Sequence, residues 1–160
     1  MNKISIIMGS QSDLETVQEA ISILKEFKAS LEVKVLSAHR TPKELKEFVE
    51  RAPKRGTKVF IAAAGGAAAL AGVVASHTTL PVIGIPIETK SLKGLDSLLS
   101  TAQMPAGIPV ACMAIGKAGA RNAALFALEI LGISEAKIQA RLVAYKKQMR
   151  RKIKNIKLKV

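Results

Sequence analysis

Two hydrophobic periods alternate along the chain. Apolar runs typical of buried strands occur at 3–8, 31–36, 58–63, 81–85 and 109–115. Between these runs, apolar residues recur every three or four positions, as at Leu14, Val17, Ile21 and Leu24. This second spacing predicts helices at 13–27, 42–55, 67–76 and 118–131, the last ending in Gly132. Ser134 is the predicted cap of a final helix.

The alternation of strands and helices predicts an α/β protein. It favours one open, mostly parallel five-stranded sheet of the flavodoxin or Rossmann type. The length of 160 residues fits a single domain, 1–160, with 134–160 as a C-terminal helix and basic tail. Because ligands of such sheets bind at the carboxyl ends of strands, the segments that follow the predicted strands are the candidate sites.

The composition indicates which residue types build the core and argues against a membrane span. Apolar residues make up 49% of the chain and aromatic residues only 3%, so Ala, Val, Ile and Leu are expected to build the core. The uncharged stretch 59–87 is interrupted by Gly65-Gly66 and Pro81, so it does not provide the ~20-residue apolar helix that a membrane span needs. The only cysteine, Cys112, excludes an intrachain disulfide, favours a cytoplasmic location and is expected to be an inert core residue.

The positive charge is concentrated at the C-terminus. The formal net charge is +13, and residues 141–160 hold nine of the 25 basic residues and no acidic one. The same helix carries an apolar stripe that is expected to pack against this subunit or another; it comprises Ile138, Leu142, Tyr145, Met149, Ile153 and Ile156. Nucleic acid is an unlikely partner, because single-strand binders combine basic grooves with stacking aromatics and Tyr145 is the only one here.

The segment Ser37-Ala38-His39-Arg40-Thr41-Pro42 follows the second predicted strand. Thr41 is the expected helix cap, with Pro42 at the first helical position and Glu44 completing a capping box. His39 can transfer protons near neutral pH, and Arg40 can bind a phosphate or carboxylate through two hydrogen bonds. The alternative is a strand-end histidine bonded to the backbone beside a solvated arginine.

Two further turns follow predicted strands. Gly9-Ser10-Gln11-Ser12-Asp13 offers hydroxyls and backbone N–H groups at a helix start, which can hold a phosphate. Alternatively, Ser12 or Asp13 is simply a helix cap. The small residues at 64–69 allow close approach of a ligand or close packing of a helix.

The remaining features are less specific. A long connection between Gly94 and Pro109 precedes the fifth predicted strand, and long connections in compact domains are often functional. His77 lies near a predicted helix end, where a capping or surface role is expected.

Several motifs together resemble the catalytic subunit of the phosphoribosylaminoimidazole carboxylase family of purine biosynthesis. They occur in family order over about 3–145 and read MGSQSD (8–13), SAHRTP (37–42), AGGAA (64–68), GLDSLLS (94–100), QMPAGIPV (103–110) and AIGKAGARNAAL (114–125). The resemblance implies a flavodoxin-like three-layer αβα sandwich assembled as a homo-octamer, without metal or organic cofactor.

The resemblance also implies residue roles. His39 is the general acid–base, Arg40 binds the substrate phosphate, and Ser10 and Asp13 bind the ribonucleotide. The imidazole pocket is expected to include the turn Gly65-Gly66-Ala67 and the loop Met104-Pro105-Ala106-Gly107. The candidate substrate-binding set further includes Gly9, Ser12 and Ser37.

The family contains two chemistries. Mutase-type members convert 5-(carboxyamino)imidazole ribonucleotide into 4-carboxy-5-aminoimidazole ribonucleotide, which we expect to proceed by decarboxylation and recarboxylation. Carboxylase-type members fix free carbon dioxide on aminoimidazole ribonucleotide. Arg40, Gly65-Gly66 and the loops at 94–110 favour the mutase, whereas Ala69 stands where mutase-type members usually carry histidine. A non-catalytic nucleotide- or RNA-binding module is the third alternative.

Overall fold

The computed structural model describes residues 3–157, which contain one five-stranded parallel sheet. Its strands are β1 (Lys3–Met8), β2 (Ser30–Val35), β3 (Thr57–Ala64), β4 (Val82–Pro86) and β5 (Ala111–Cys112). Their spatial order is β2-β1-β3-β4-β5, and every neighbouring pair is parallel. This is the doubly wound, flavodoxin-like order, so the predicted fold class is confirmed.

Helices cover both faces of the sheet. They are α1 (Leu14–Glu26), α2 (Pro42–Arg51), α3 (Leu70–Ser76), α4 (Leu95–Ala102), α5 (Gly116–Gly132) and α6 (Ala136–Lys154). Adjacent residues of β1 point to opposite faces: Ile6 packs in the cluster with α1 and α5, and Ile7 packs in the cluster with α2 and α3. The two apolar clusters produce the three-layer arrangement.

Small side chains bring α5 close to its neighbours. Ala120, Ala123, Ala124 and Ala127 are all fully buried on one side of this helix. Because alanine adds little bulk, the helix packs tightly against α1 and the sheet, as expected for a core with few aromatic residues.

Several predicted element boundaries were wrong. The strand predicted at 109–115 is only Ala111–Cys112, because only Ile83↔Ala111 and Gly84↔Cys112 pair across it. The helix predicted at 42–55 ends at Arg51, and a separate 3₁₀ turn follows at Pro53–Arg55. The helix predicted at 67–76 begins at Leu70, and α4 was not predicted.

Two predicted capping interactions do not form, although Thr41 occupies the predicted N-cap position of α2. The Thr41 side chain makes no capping bond to α2; its hydroxyl accepts from the Ser37 N–H at 2.8 Å, and no capping box with Glu44 is present. Helix α6 follows Glu135 rather than Ser134, and the Ser134 hydroxyl donates to the Leu131 carbonyl at the end of α5. Both hydroxyls therefore close turns instead of starting helices.

Only the first part of α6 is covered by the rest of the chain. Ile138 and Leu142 are buried, and Tyr145 packs against Phe27 with ring centroids 5.6 Å apart. Met149 and Ile153 are exposed, so the predicted apolar stripe is packed over half its length. The last residues of the predicted basic tail, 158–160, lie outside the described residues.

The structure also tests the predictions about a membrane span and about Cys112. Within residues 3–157, no helix combines the length and apolar character needed to cross a membrane. Cys112 is half-buried in β5 rather than placed in the core, which corrects its predicted position. Burial raises the pKa of its thiol, so the reactive thiolate form is disfavoured.

Candidate functional site

A cleft of about 550 Å³ opens at the carboxyl ends of the strands. The turns after β1, β2, β3 and β4 all contribute to its walls, as expected for an open parallel sheet. Among the residues predicted for the site, the cleft is lined by Gly9, Ser10, Ser12, Asp13, Ser37, His39, Arg40, Gly65 and Ala67. The structure thus brings three separate sequence motifs together in one cavity.

The first wall is the turn between β1 and α1. Ser10 is extended, with φ −149°, and forms a capping box with Asp13: the Ser10 N–H donates to Asp13 Oδ2 at 3.0 Å, and the Ser12 N–H donates to Ser10 Oγ at 3.3 Å. Ser10 therefore caps the 3₁₀ turn Gln11–Asp13, and Asp13 occupies the N-cap position of α1 without a side-chain bond to that helix. Burial raises the pKa of Asp13 and outweighs the opposing effects of the Ser10 N–H, the Ser12 hydroxyl and the Arg40 charge.

The second wall is the turn between β2 and α2, which carries His39 and Arg40. Arg40 Nη2 donates to the Gly9 carbonyl at 2.8 Å, and Arg40 Nε donates to Ser37 Oγ at 3.4 Å. The guanidinium therefore connects the first two walls and is already oriented across the cleft. Within the part of the chain that the structure describes, the exposed His39 imidazole makes no hydrogen bond, which argues against a histidine bonded to the backbone.

The third wall is the turn after β3. Gly66 has φ +69°, a left-handed conformation that glycine adopts without strain, and Gly65 faces the cleft. The Gly66 N–H donates to Ser97 Oγ of α4 at 2.9 Å. Ala69 also lines the cleft. Gly66 itself supports the turn and is not part of the cleft surface.

The wall that follows β4 was not predicted from the sequence. Ile87, Glu88 and Thr89 line the cleft, and Thr89 Oγ1 donates to Asp96 Oδ1 at 2.8 Å. The signal was available, because these residues follow the carboxyl end of a correctly predicted strand. No motif stood out at 87–89, and the predicted long connection began only at Gly94.

The loop Met104–Gly107 lies away from the cleft of its own chain. The Met104 thioether packs over Gly72, where an added Cβ would meet the sulfur at 3.1 Å. Gly107 lines a second, open cavity together with His77. His77 ends α3 and lies 3.9 Å from a Glu50 carboxylate oxygen, a position consistent with its expected capping or surface role.

The fold and the cleft define a class: a flavodoxin-like α/β protein whose cleft, at the carboxyl edge of the sheet, holds an arginine guanidinium, an exposed imidazole and a serine-capped helix start. The sequence profile of the family described as "AIR carboxylase" matches residues 3–152, and the chain belongs to this family. Within residues 3–157, no group of His, Cys, Asp and Glu side chains is arranged to hold a metal ion.

Known relatives are similar over most of the chain. A protein of Pyrococcus abyssi named "N5-carboxyaminoimidazole ribonucleotide mutase" is 54% identical over 151 residues, covering 94% of this chain and 86% of the relative. One of the same name from Saccharolobus solfataricus is 51% identical, covering 99% of both chains. The crystal structure of Treponema denticola PurE superposes with a TM-score of 0.87 at 28% identity, covering 96% of this chain and 94% of that one.

Proposed function

We propose that this protein is a mutase of de novo purine biosynthesis that converts 5-(carboxyamino)imidazole ribonucleotide into 4-carboxy-5-aminoimidazole ribonucleotide. The observation that carries the proposal is the convergence of the Ser10–Asp13 turn, the His39–Arg40 turn and the Gly65–Ala67 turn on one cleft. The relatives that bear the mutase name, at about 50% identity, support the same activity.

Binding of the ribonucleotide is assigned to the first two walls. Arg40 offers a fixed cation to the phosphate, beside the Ser10 and Ser12 hydroxyls and the Gly9 turn. Ser37 holds the arginine in place through its hydroxyl. The buried Asp13 carboxylate is oriented by the Ser10 N–H and faces the sugar side of the ligand.

The reaction is a transfer of carboxylate from nitrogen to carbon. The N–C bond breaks and releases carbon dioxide, while the bonding electrons stay on nitrogen, which takes a proton. The ring carbon of the enamine-like intermediate then attacks carbon dioxide, a C–C bond forms, and the ring carbon loses its proton. His39 donates the first proton and accepts the second, so the protons balance within one turnover.

The small residues at 64–68 suit the trapping of carbon dioxide. They present backbone and methyl groups rather than polar side chains, so the part of the cleft beside them can close around a small neutral molecule. Escape of carbon dioxide would convert the mutase into a decarboxylase, so retention is a central demand on this wall.

We further propose that the protein is a homo-octamer in the cytoplasm. The loop Met104–Gly107 lies outside the cleft of its own chain, so its assigned role in the imidazole pocket requires a second copy. The exposed apolar residues of α4, Leu95 and Leu99, are available for contact between copies. Analytical ultracentrifugation of the purified protein should give the mass of eight chains, and a stable monomer would exclude the shared pocket.

The alternative is a carboxylase that uses free carbon dioxide, and it stays open because Ala69 departs from the mutase pattern. The deciding assay supplies 5-(carboxyamino)imidazole ribonucleotide in one reaction and aminoimidazole ribonucleotide with excess bicarbonate in another. The mutase turns over the first far faster, and a preference for the second would establish the carboxylase.

His39→Asn is expected to lower kcat by about 100- to 10,000-fold at unchanged melting temperature, because the side chain is exposed. Near-normal turnover would remove His39 from the mechanism.

A further inference from the structure

Ser97 of α4 is a fully buried hydroxyl that joins three segments around the cleft. Its Oγ donates to the Ile87 carbonyl at 2.7 Å and accepts the Gly66 N–H at 2.9 Å. Ile87 follows β4, and Gly66 follows β3, so this side chain joins the two strand exits, in addition to the backbone bond from the Ile87 N–H to the Ala64 carbonyl at 2.9 Å. Ser97 does not reach the cleft itself.

The turn that Ser97 anchors has little side-chain packing of its own. Gly66 has no atom within 4 Å of the position that a Cβ would occupy, so one side of this left-handed residue faces open space. On the other side, a Cβ on Gly65 would contact Ile87 Cβ at 3.5 Å. The turn therefore lies against the β4 exit. The Ser97 hydroxyl holds its Gly66 N–H, and the Ser100 hydroxyl donates a longer bond of 3.4 Å to the Gly66 carbonyl.

Asp96, the residue before Ser97, similarly holds the neighbouring wall of the cleft, which follows β4. Asp96 accepts a hydrogen bond from the Thr89 hydroxyl at 2.8 Å, and that hydroxyl accepts the Gly94 N–H at 3.2 Å. The first turn of α4 thus fixes two walls of the cleft through consecutive polar residues. Hydrogen bonds of this kind have narrow geometry, so they hold a backbone position more tightly than apolar contacts do.

We propose that Ser97 is a positioning residue for the reaction: it holds the Gly65–Gly66 turn against Ile87 and thereby keeps the cleft closed around released carbon dioxide. The inference rests on the proposed mutase activity. Ser97, a buried residue outside the cleft, would thus help to retain the released carbon dioxide, whereas His39 transfers the protons.

Thr101 offers a matched control on the same helix. Its hydroxyl is also buried, at 3% exposure, and donates to the Ser97 carbonyl at 2.8 Å. Ser97→Ala and Thr101→Val each remove one buried hydroxyl of α4, but only the first releases the Gly66 N–H. A general loosening of α4 would affect both variants, whereas loss of the anchor affects one.

The test measures turnover, coupling and amide exchange in the full-length protein. Ser97→Ala is expected to lower kcat roughly tenfold to a hundredfold with KM little changed, and to release more aminoimidazole ribonucleotide and carbon dioxide per product formed. Thr101→Val is expected to keep wild-type coupling. Ser97→Ala with wild-type coupling, or Thr101→Val with equal leakage, would overturn the proposal.

Hydrogen exchange separates this inference from the proposed function. Without substrate, the amides of Gly65–Ala67 are expected to exchange faster in Ser97→Ala than in Thr101→Val, whatever the enzyme's reaction is. Unchanged exchange would show that Ser97 does not anchor the turn. A second outcome is faster exchange in Ser97→Ala while the wild-type protein is inactive on 5-(carboxyamino)imidazole ribonucleotide. That result would support Ser97 as the anchor of the turn but refute the mutase activity. It would therefore also refute the role of Ser97 in retaining carbon dioxide.

Discussion

Gly84 lies where β4 and α4 approach most closely, and replacing it with alanine should destabilise the protein. A Cβ at this position would stand 2.2 Å from Thr101 Cγ2, 3.3 Å from Val110 Cγ1 and 3.4 Å from Ala71 Cβ. The first distance is far below van der Waals contact. Because overpacking of a core costs about 1–3 kcal/mol, and 1 kcal/mol shifts a chain of this size by about 2–4 °C, we expect a melting temperature about 3–10 °C lower.

The clash has one principal partner, so a second substitution should relieve it. Thr101→Ser removes the Cγ2 methyl and keeps the hydroxyl that bonds the Ser97 carbonyl. Alone it should cost about 1 kcal/mol, the value of one buried methyl group. In Gly84→Ala/Thr101→Ser the nearest contacts become those at 3.3–3.4 Å, so the two changes should offset each other by about 1–2 kcal/mol.

The assay is thermal unfolding of the four proteins at one protomer concentration, because oligomerisation makes melting temperatures depend on concentration. A double variant that melts above Gly84→Ala alone supports the packing argument. Additive losses would refute it, since they would mean that β4 or α4 shifts to accept the new Cβ without the threonine methyl being the obstacle.

Three further predictions use other parts of the structure. Arg40→Ala should raise KM about 10- to 100-fold with a smaller effect on kcat, because the cation contributes charge-assisted hydrogen bonds to the phosphate; an unchanged KM would contradict this role. Glu32→Gln should lower the melting temperature at pH 7. Burial raises the pKa of Glu32, but Arg55 and Lys3 outweigh it and lower that pKa, so the carboxylate contributes stability above the ordinary value of 4.5. That contribution disappears as the pH falls through the lowered pKa, and an equal deficit at pH 3 would contradict the assignment. Gly119→Ala places a Cβ 1.6 Å from the Ala114 carbonyl oxygen, so a loss of about 3 kcal/mol or more is expected in chemical unfolding; a melting temperature within about 2 °C of wild type would show that the α5 start adapts.

The core strands were predictable because buried strands have nearly continuous apolar sequences. β1 and β3 lie between helix layers, so their residues are apolar almost without interruption and their limits were predicted to within about one residue. β5 was overestimated because it pairs with a neighbour over only two residues, and apolar composition does not reveal how long a strand stays hydrogen-bonded.

Helix α4 was missed for a physical reason. Its buried side consists of Ser97 and Thr101, while Leu95 and Leu99 are exposed. This is the reverse of an amphipathic helix that packs on a core, so apolar periodicity could not detect it. The inward hydroxyls are explained by the backbone groups they bond, which belong to segments distant in sequence and are visible only in the structure.

The candidate site could be predicted as far as it follows strand ends. Gly9, Ser10, His39 and Arg40 were identified because turns after parallel strands meet at one edge. Glu88 also follows a strand end and could have been included on that ground, but no motif surrounds it. The loop at 104–107 is a different case: only the folded chain shows that it lies away from its own cleft.

The basic charge of the C-terminal tail is expected to have little part in substrate binding by one protomer. Helix α1 begins at the cleft and ends beside Phe27, 13 residues or about 20 Å away, and α6 packs there through Tyr145. Beyond this contact the side chains of Met149 and Ile153 are exposed. Because exposed charges are screened over about 8 Å at physiological salt, we expect the tail cations to contribute little to ligand binding at the cleft.

Neutralising the tail tests this separation. Lys152→Gln/Lys154→Gln should leave KM for the ribonucleotide unchanged at physiological salt, whereas Arg40→Ala raises it. A raised KM in the tail variant would contradict the separation, because it would require the tail of another copy to reach the cleft. In that case the charge at the C-terminus would belong to a site shared between chains, and KM of the tail variant should depend on protein concentration in the range where the oligomer dissociates.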